Sequence, residues 1–153
     1  MKLLMPARVL DQIGAKEYTA QGQNERGGLL LGYRKPGALQ IVQATLPEPW
    51  DFATPTLFRR SERGHRERAL LSWRDSERTM DWIGEWHTHP GGSASPSFID
   101  KGSWKRLVKH TRKPMVFLIA GARDLYVGMQ DSRSNGPKRM VVEEQSGEAI
   151  LFL

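Results

Sequence analysis

The sequence contains no cysteine among its 153 residues. Disulfide bonds, thiolate zinc sites and cysteine nucleophiles are therefore excluded, and any metal site must use His, Asp and Glu. No apolar run approaches the roughly 20 residues that a bilayer-crossing helix needs. The N-terminal segment is short and interrupted by Pro6, so it does not resemble a signal peptide. Because the absence of cysteine fits a reducing compartment, we expect a cytoplasmic protein that does not contact a membrane.

Acidic side chains are in the minority, since 23 Lys and Arg against 17 Asp and Glu give a formal net charge of +6. Residues 101 to 113 include six Lys and Arg and no acidic residue. Such a run is either a solvated helix face or a surface that attracts nucleic acid or an acidic protein. No aromatic RNA-binding signature or DNA-binding motif accompanies the charge, so nucleic-acid binding is the weaker hypothesis.

Hydrophobic periodicity predicts one domain over residues 1–153, of the α/β (α+β) class, with a mixed central β-sheet flanked by helices. Helices are predicted over 6–22, 63–78 and 97–111. Strands are predicted over 27–33, 39–44, 56–58, 81–86, 115–120, 125–129, 140–143 and 149–153. Loops are predicted at 47–55, 91–96 and 132–137. The apolar positions of the second helix are Leu70, Leu71 and Trp73, and those of the third include Phe98 and Trp104.

The most informative segment is GEWHTHP at residues 84–90, followed by Ser97 and Asp100. At a strand end, His87 and His89 point to the same face because they are two positions apart. The ten residues between His89 and Asp100 allow the next helix to begin over the histidines. Asp100 then becomes a candidate third ligand, with Ser97 beside it on the same helix face. Three such ligands and an open position are typical of catalytic zinc, although other divalent metals accept the same donors.

Each part of this pattern also has a purely structural interpretation. A His-x-His pair is often an ordinary surface or core feature. Ser97 and Asp100 have the spacing of a helix capping box, and Gly91 and Gly92 are common turn residues. The combined spacing favours the metal site over these separate explanations, and Ser97 can serve both as a cap and in catalysis.

A hydrolytic metal site also needs a general base next to the attacking water. The candidates are Glu17, Glu25 and Glu85. Glu25 precedes the predicted strand over 27–33, whereas Glu85 lies two positions before His87. Periodicity alone does not decide between Glu25 and Glu85.

The order His-x-His-Pro, six residues, Ser, two residues, Asp resembles the signature of JAMM (JAB1/MPN+) metalloproteases. Residues 24–32, NERGGLLLG, are similar to the upstream glutamate segment of that family. The resemblance implies a JAMM/cytidine-deaminase-like fold and one zinc ion per chain, bound by His87, His89 and Asp100. It also implies that Glu25 is the base and that Ser97 donates a hydrogen bond to the oxyanion.

Residues 83–90 and 96–100, together with Trp104, resemble the prokaryotic JAB proteins of antiphage (CBASS) operons. This narrower resemblance implies an isopeptidase that cleaves after the C-terminus of a conjugated protein. The expected substrate is a CD-NTase conjugate made by a companion protein with fused E1- and E2-like parts. Glu85 is then not the base, and a contact with substrate stays open for it. The alternatives are a catalytically silent MPN-type scaffold or a JAMM peptidase that acts on another ubiquitin-like or sulfur-carrier protein.

Overall fold

A nine-stranded mixed β-sheet forms the centre of the computed structural model, which describes residues 1–153. In chain order, the elements are β1 (Lys2–Pro6), α1 (Arg8–Gln12), β2 (Gly27–Lys35), β3 (Ala38–Ala44), β4 (Phe52–Thr54), β5 (Leu57–Arg59), α2 (His65–Asp75), β6 (Asp81–His89), α3 (Phe98–Thr111), β7 (Met115–Gly121), β8 (Leu125–Gln130), β9 (Lys138–Arg139), β10 (Val142–Gln145) and β11 (Ala149–Phe152). The strand order is β10-β11-β1-β3-β2-β6-β7-β8-β9, and β4 with β5 forms a separate hairpin. The predicted mixed α+β class is confirmed.

Strand β6 lies near the middle of the sheet, where it pairs antiparallel with β2 and parallel with β7. A parallel pair requires a crossover connection, and α3 provides it between β6 and β7. This βαβ arrangement places the start of α3 beside the carboxyl end of β6. The histidines of the GEWHTHP segment lie at that end of the strand.

The two faces of the sheet pack against different helices. One face carries the larger core, which includes Ile83, Trp86 and Leu118 and extends to Val9 of α1. The other face packs against α3, whose Trp104 ring stacks on Phe117 at 4.4 Å between ring centroids, where offset aromatic pairs are favourable.

The predicted helix over 6–22 is wrong in its extent. Residues Lys2–Pro6 form β1, which pairs with β3 and β11, because Leu3 and Met5 alternate with exposed residues and are fully buried. Only Arg8–Gln12 is helical, and the chain turns at Gly14, whose φ is +70°. Glycine adopts that left-handed conformation without the steric cost that a side chain imposes.

Four of the predicted apolar helix positions are not buried in the core. Leu70, Leu71 and Trp73 of α2 are 52%, 46% and 42% exposed, so α2 packs on the sheet less closely than its composition indicates. Phe98, the first residue of α3, is 93% exposed. Trp104, in contrast, is buried as predicted.

The remaining differences concern boundaries. Strand β4 lies inside the loop predicted over 47–55, and β9 follows directly after the loop predicted over 132–137. Strand β10 begins two residues later than expected, at Val142. None of the three helices is long and apolar enough to cross a bilayer.

Candidate metal centre

Strand β6 presents His87 and His89 on the α3 face of the sheet. Along β6, buried Trp86 and Thr88 alternate with the half-buried histidines, as a period of two requires. The parallel register pairs His87 with Ile119 of β7, whose side chain contributes to the core beneath α3. The two imidazoles therefore share one face at the end of the strand, as the spacing predicts.

The first turn of α3 brings a carboxylate to these histidines. Ser97 is the N-cap residue, and its hydroxyl oxygen accepts a hydrogen bond from the Asp100 backbone N–H at 3.0 Å. Asp100 Oδ2 in turn accepts from the Ser97 backbone N–H at 2.7 Å. This reciprocal pair is a capping box, so the structural interpretation of the Ser-x-x-Asp spacing is confirmed. The same bond turns the Asp100 carboxylate toward the histidines.

The three side chains form a group with the spacing of metal ligands. His87 Nε2 and His89 Nε2 are 3.0 Å apart, and Asp100 Oδ1 and Oδ2 lie 3.4 Å and 3.5 Å from His87 Nε2 and His89 Nε2 respectively. Zinc bonds of about 2.0–2.2 Å in a tetrahedral site would place ligand atoms about 3.3–3.6 Å apart. The two distances to Asp100 fall within this range, and the distance between the histidine nitrogens is about 0.3 Å shorter than its lower limit. The spacing and the N/O donor set therefore fit zinc after a small separation of the two imidazoles.

The tautomer of His89 also suits a metal ligand. Its Nδ1 lies 2.8 Å from the Ser93 backbone oxygen, which only accepts, so Nδ1 carries the proton and Nε2 keeps a free lone pair. Asp124 fixes the loop that provides this oxygen, because its Oδ1 accepts from the Ala94 backbone N–H at 3.0 Å. The glycine- and serine-rich loop over 91–96 therefore orients a histidine.

His89 and Asp100 shift each other's pKa values. In the absence of a metal, a protonated His89 can donate from Nε2 to Asp100, and this hydrogen bond raises the pKa of His89, although burial opposes the effect. Burial raises the pKa of Asp100, but hydrogen bonds from the protonated forms of His87 and His89 lower it by more. Asp100 is thus held as a carboxylate, which is the form that ligates a metal.

Glu25 lies just before the first residue of β2 and lines the same cavity as His87, His89 and Asp100. The Thr88 hydroxyl accepts from the Arg26 backbone N–H at 3.0 Å, and the Thr88 N–H donates to the Arg26 carbonyl at 2.9 Å. These bonds continue the pairing of β2 with β6 toward Glu25. Burial raises the pKa of Glu25, and the nearby His87 and His89 only partly offset this shift.

The other candidate glutamates have different surroundings. Glu85 Oε1 accepts a hydrogen bond from the Arg60 guanidinium at 2.6 Å, and both side chains are about one-quarter exposed. Glu17 is exposed and does not line the cavity that contains the histidines. Glu25 and Glu85 both line that cavity, but of the two only Glu85 forms an ion pair, with Arg60.

The cavity at this centre has a volume of about 550 Å³ and opens between two walls. The hairpin β4–β5 and the residue after it form one wall, through Thr56 to Arg60. The beginning of α3 forms the other, through Ser97, Ile99, Asp100, Ser103 and Trp104. An extended chain of substrate can therefore approach the histidines between the hairpin and α3.

Sequence reasoning missed several residues that organise this centre. Thr88 was visible only as the residue between two histidines, yet it is fully buried and joins the Glu25 segment to β6. The Ser93 carbonyl is a backbone group, and the Asp124 carboxylate binds a backbone N–H, so no residue pattern indicates either contact. The second strand of the hairpin, Leu57–Arg59, matches the strand predicted over 56–58 to within one residue. The first strand, Phe52–Thr54, was missed because it has three residues and follows a proline-rich stretch.

Comparison with known proteins identifies relatives over most of the chain. The model of the family described as prokaryotic homologues of the JAB domain matches residues 6–134. A protein of Pseudomonas aeruginosa (strain BWHPSA011 / Pa011), named CD-NTase/cGAS isopeptidase, is 37% identical over 114 residues, covering 73% of this chain and 72% of the relative. A protein of the same name from Escherichia coli (strain TW11681) is 30% identical over 126 residues, covering 82% and 80%. These matches confirm the resemblance that the sequence motifs indicate.

A solved structure agrees with the fold. The solution structure of a protein from Desulfitobacterium hafniense superposes with a TM-score of 0.63 at 20% identity, covering 88% of this chain and 87% of that one. At this identity the likeness concerns the fold alone, and it supports the mixed sheet with flanking helices.

Proposed function

The chain belongs to the family of prokaryotic homologues of the JAB domain, and on that premise we propose that it is a zinc-dependent isopeptidase. The proposed substrate is a CD-NTase joined through its C-terminus to another molecule, and the bond cleaved is the one after its last residue. The names of the relatives support a deconjugating hydrolase that acts on this class of protein. The role would be reversal of conjugation in antiphage defence.

One observation carries the proposal, namely the group of His87, His89 and Asp100, whose ligand atoms all lie within 4.8 Å of one another. In the proposed enzyme these three residues bind the metal. When bound, zinc lowers the pKa of a water molecule and polarises a carbonyl group. A silent scaffold of the same fold would not need the complete group, the serine and the glutamate together.

Glu25 is the proposed general base. Burial disfavours the charged form of Glu25 and raises its pKa. A carboxylate with a raised pKa accepts a proton more readily near neutral pH, as a general base must. Glu25 would accept a proton from the attacking water and donate it to the departing amine. Glu85 suits this task less well, since its carboxylate already accepts a hydrogen bond from Arg60.

Ser97 is the proposed donor to the oxyanion. In the capping box its oxygen accepts a hydrogen bond from the Asp100 N–H, and that bond does not use the hydroxyl proton. The proton is therefore available to a substrate oxygen in the cavity, which Ser97 lines. One positioned donor of this kind lowers a barrier by roughly 3 kcal/mol.

The hairpin β4–β5 offers a surface for the substrate tail. Strand β5 pairs only with β4, so its second edge has no strand partner, and Leu57, Phe58 and Arg59 line the cavity. An extended C-terminal tail can add to such an edge through backbone hydrogen bonds. This mode places the last peptide unit of the tail near the histidines and demands few matching side chains.

The test uses a conjugate between a CD-NTase and a lysine-bearing target, with a C-terminal fusion of the same CD-NTase as a second substrate. The purified protein should contain about one zinc per chain and release intact CD-NTase from both. EDTA should stop the release, and zinc should restore it. Ubiquitin chains serve as the comparison substrate.

Two outcomes would contradict different parts of the proposal. Cleavage of ubiquitin chains with no release of CD-NTase would reject the substrate and leave a general isopeptidase. Zinc binding without hydrolysis of any conjugate would favour the scaffold.

A further inference from the structure

A buried polar chain lies next to the cavity and has no part in the proposed reaction. His65 is fully buried and Thr45 is 2% exposed. His65 Nδ1 lies 2.7 Å from Thr45 Oγ1, and His65 Nε2 lies 2.7 Å from Asp51 Oδ2. Burying three polar side chains costs free energy unless every donor and acceptor finds its partner. Their partners therefore indicate what the chain of bonds does.

The direction of the hydrogen bonds follows from the partners of Thr45. Its hydroxyl oxygen accepts from the Leu29 backbone N–H at 2.8 Å, so its own proton can be donated to His65 Nδ1. His65 Nε2–H then donates to the Asp51 carboxylate. All these groups are satisfied with a neutral imidazole, and the chain of bonds begins on β2 and ends on Asp51.

The Asp51 carboxylate joins the two ends of the hairpin segment. Oδ2 also accepts from the Glu48 backbone N–H at 2.8 Å, and Oδ1 accepts from the Ser61 backbone N–H at 2.8 Å. Residues 48 and 61 flank β4 and β5, so one carboxylate holds both ends together. His65, the first residue of α2, then connects this point to β2 through Thr45.

The segment held in this way forms one wall of the metal centre. A Cβ atom added at Gly27 would lie 2.7 Å from the Phe58 ring, so the hairpin packs directly on the backbone that pairs with His87. The Thr54 carbonyl accepts from the Glu25 N–H at 2.8 Å. The position of the hairpin therefore affects both the substrate edge and the segment that carries Glu25.

We propose that Thr45, His65 and Asp51 are positioning residues that fix the β4–β5 hairpin for substrate binding. They do not touch the reacting atoms and act through the wall formed by residues 56–60. The kinetic part of this inference rests on the proposed isopeptidase function, while the structural part concerns the hairpin alone. No motif in the sequence indicates the three residues, because they are separated by loops and come together only in the fold.

The experiment compares Thr45→Val with Thr45→Ser in the full zinc-loaded chain. Valine removes the hydroxyl at similar volume, whereas serine keeps it. Well below the unfolding temperature, Thr45→Val should lower kcat/KM by about tenfold, mainly through KM, the size expected for loss of one buried hydrogen-bonded group. Thr45→Ser should stay within about threefold of the wild type, since it retains the donor and acceptor.

Hydrogen exchange provides a measurement that does not depend on activity. In Thr45→Val, amides of residues 48–61 should exchange faster than in the wild type, while those of β6 and β7 should remain protected. If Thr45→Val does not fold, Asp51→Asn gives the same comparison, because asparagine keeps the shape but loses one acceptor. A faster hairpin in a protein without isopeptidase activity would support the structural part and reject only the proposed function.

The inference is overturned if a folded Thr45→Val or Asp51→Asn variant has wild-type KM and wild-type exchange over 48–61. It is also overturned if Thr45→Ser loses as much as Thr45→Val, or if exchange rises uniformly through the sheet. In those cases the three residues contribute to stability alone. A loss in kcat with unchanged KM would likewise contradict a role in substrate binding.

Discussion

Replacing Ser97 by alanine removes one interaction that the structure shows and one that we propose, and the two use different atoms of one hydroxyl group. The oxygen accepts from the Asp100 N–H at 3.0 Å, and the proton is the proposed oxyanion donor. Loss of an N-cap costs about 1 kcal/mol of stability. Loss of an oxyanion donor costs about 100- to 1,000-fold in kcat, or about 3–4 kcal/mol. The kinetic effect should therefore be much larger than the effect on stability.

Two further substitutions at Ser97 separate the roles. Glycine lacks the hydroxyl but is a tolerated N-cap, so Ser97→Gly should cost only a few tenths of a kcal/mol in stability, yet lose about as much kcat as Ser97→Ala. Ser97→Thr keeps both the cap and the donor and should remain active. The measurements are the melting temperature, the zinc content and kcat on a CD-NTase conjugate.

Zinc content is essential here because the Ser97 backbone N–H also binds Asp100 Oδ2, a proposed ligand atom. The backbone bond survives every side-chain substitution, so all three variants should retain zinc. If kcat falls only in proportion to lost zinc, Ser97 acts by holding Asp100. If Ser97→Gly turns over at nearly the wild-type rate, the oxyanion assignment is refuted.

Three other predictions follow from the geometry of the centre and of the buried chain beside it. Glu25→Gln should retain zinc and lose about 100-fold or more in turnover, whereas Glu85→Gln should lose less. If single-turnover assays give the opposite ranking, Glu85 is the base. His87→Ala and His89→Ala should each reduce zinc content by elemental analysis and abolish hydrolysis, and full occupancy in both would refute the ligand assignment. Burial raises the pKa of Asp51, but hydrogen bonds from the Glu48 backbone and His65 lower it by more. Its stabilising contribution should therefore be full above pH about 4, the ordinary aspartate value, and should disappear as the pH falls through the lower native pKa. Urea unfolding of the wild type and Asp51→Asn should accordingly converge in acid, and a constant difference down to pH 2 would contradict the shift.

The grouping of the proposed ligand residues was predictable from sequence because strand and helix periodicities are local rules. Two positions along a strand return to one face, and three positions along a helix return to one face, so His87 with His89 and Ser97 with Asp100 were paired correctly. That the two pairs meet was an inference from the length of the loop between them. The structure brings all three proposed ligands together. Glu25 required a resemblance, because its approach depends on β2 pairing with β6 across about 60 residues of sequence.

The features that sequence reasoning missed depend on tertiary contacts. The segment Lys2–Pro6 is too short to show a clear period, and it is a strand because β3 and β11 accept it on both sides. Leu70, Leu71 and Trp73 of α2 have the composition of a core face but remain about half exposed. Leu70 and Trp73 line an open cavity between α2 and the sheet, together with Leu29 and Trp82. Composition shows which side chains are apolar, but how many of them are buried depends on the tertiary contacts of the fold.

The capping box shows how a folding signal and a proposed ligand site can use the same atoms. Asp100 Oδ2 satisfies a backbone N–H at the start of α3, and the two carboxylate oxygens also face His87 and His89. Trp104, one turn further along α3, anchors the helix on Phe117 of β7, which is the neighbour of β6. The distance between the carboxylate and the histidines is thus set by helix initiation at one end and by core packing at the other. A metal bound there would join β6 to α3, so its binding free energy would also stabilise the docking of the helix.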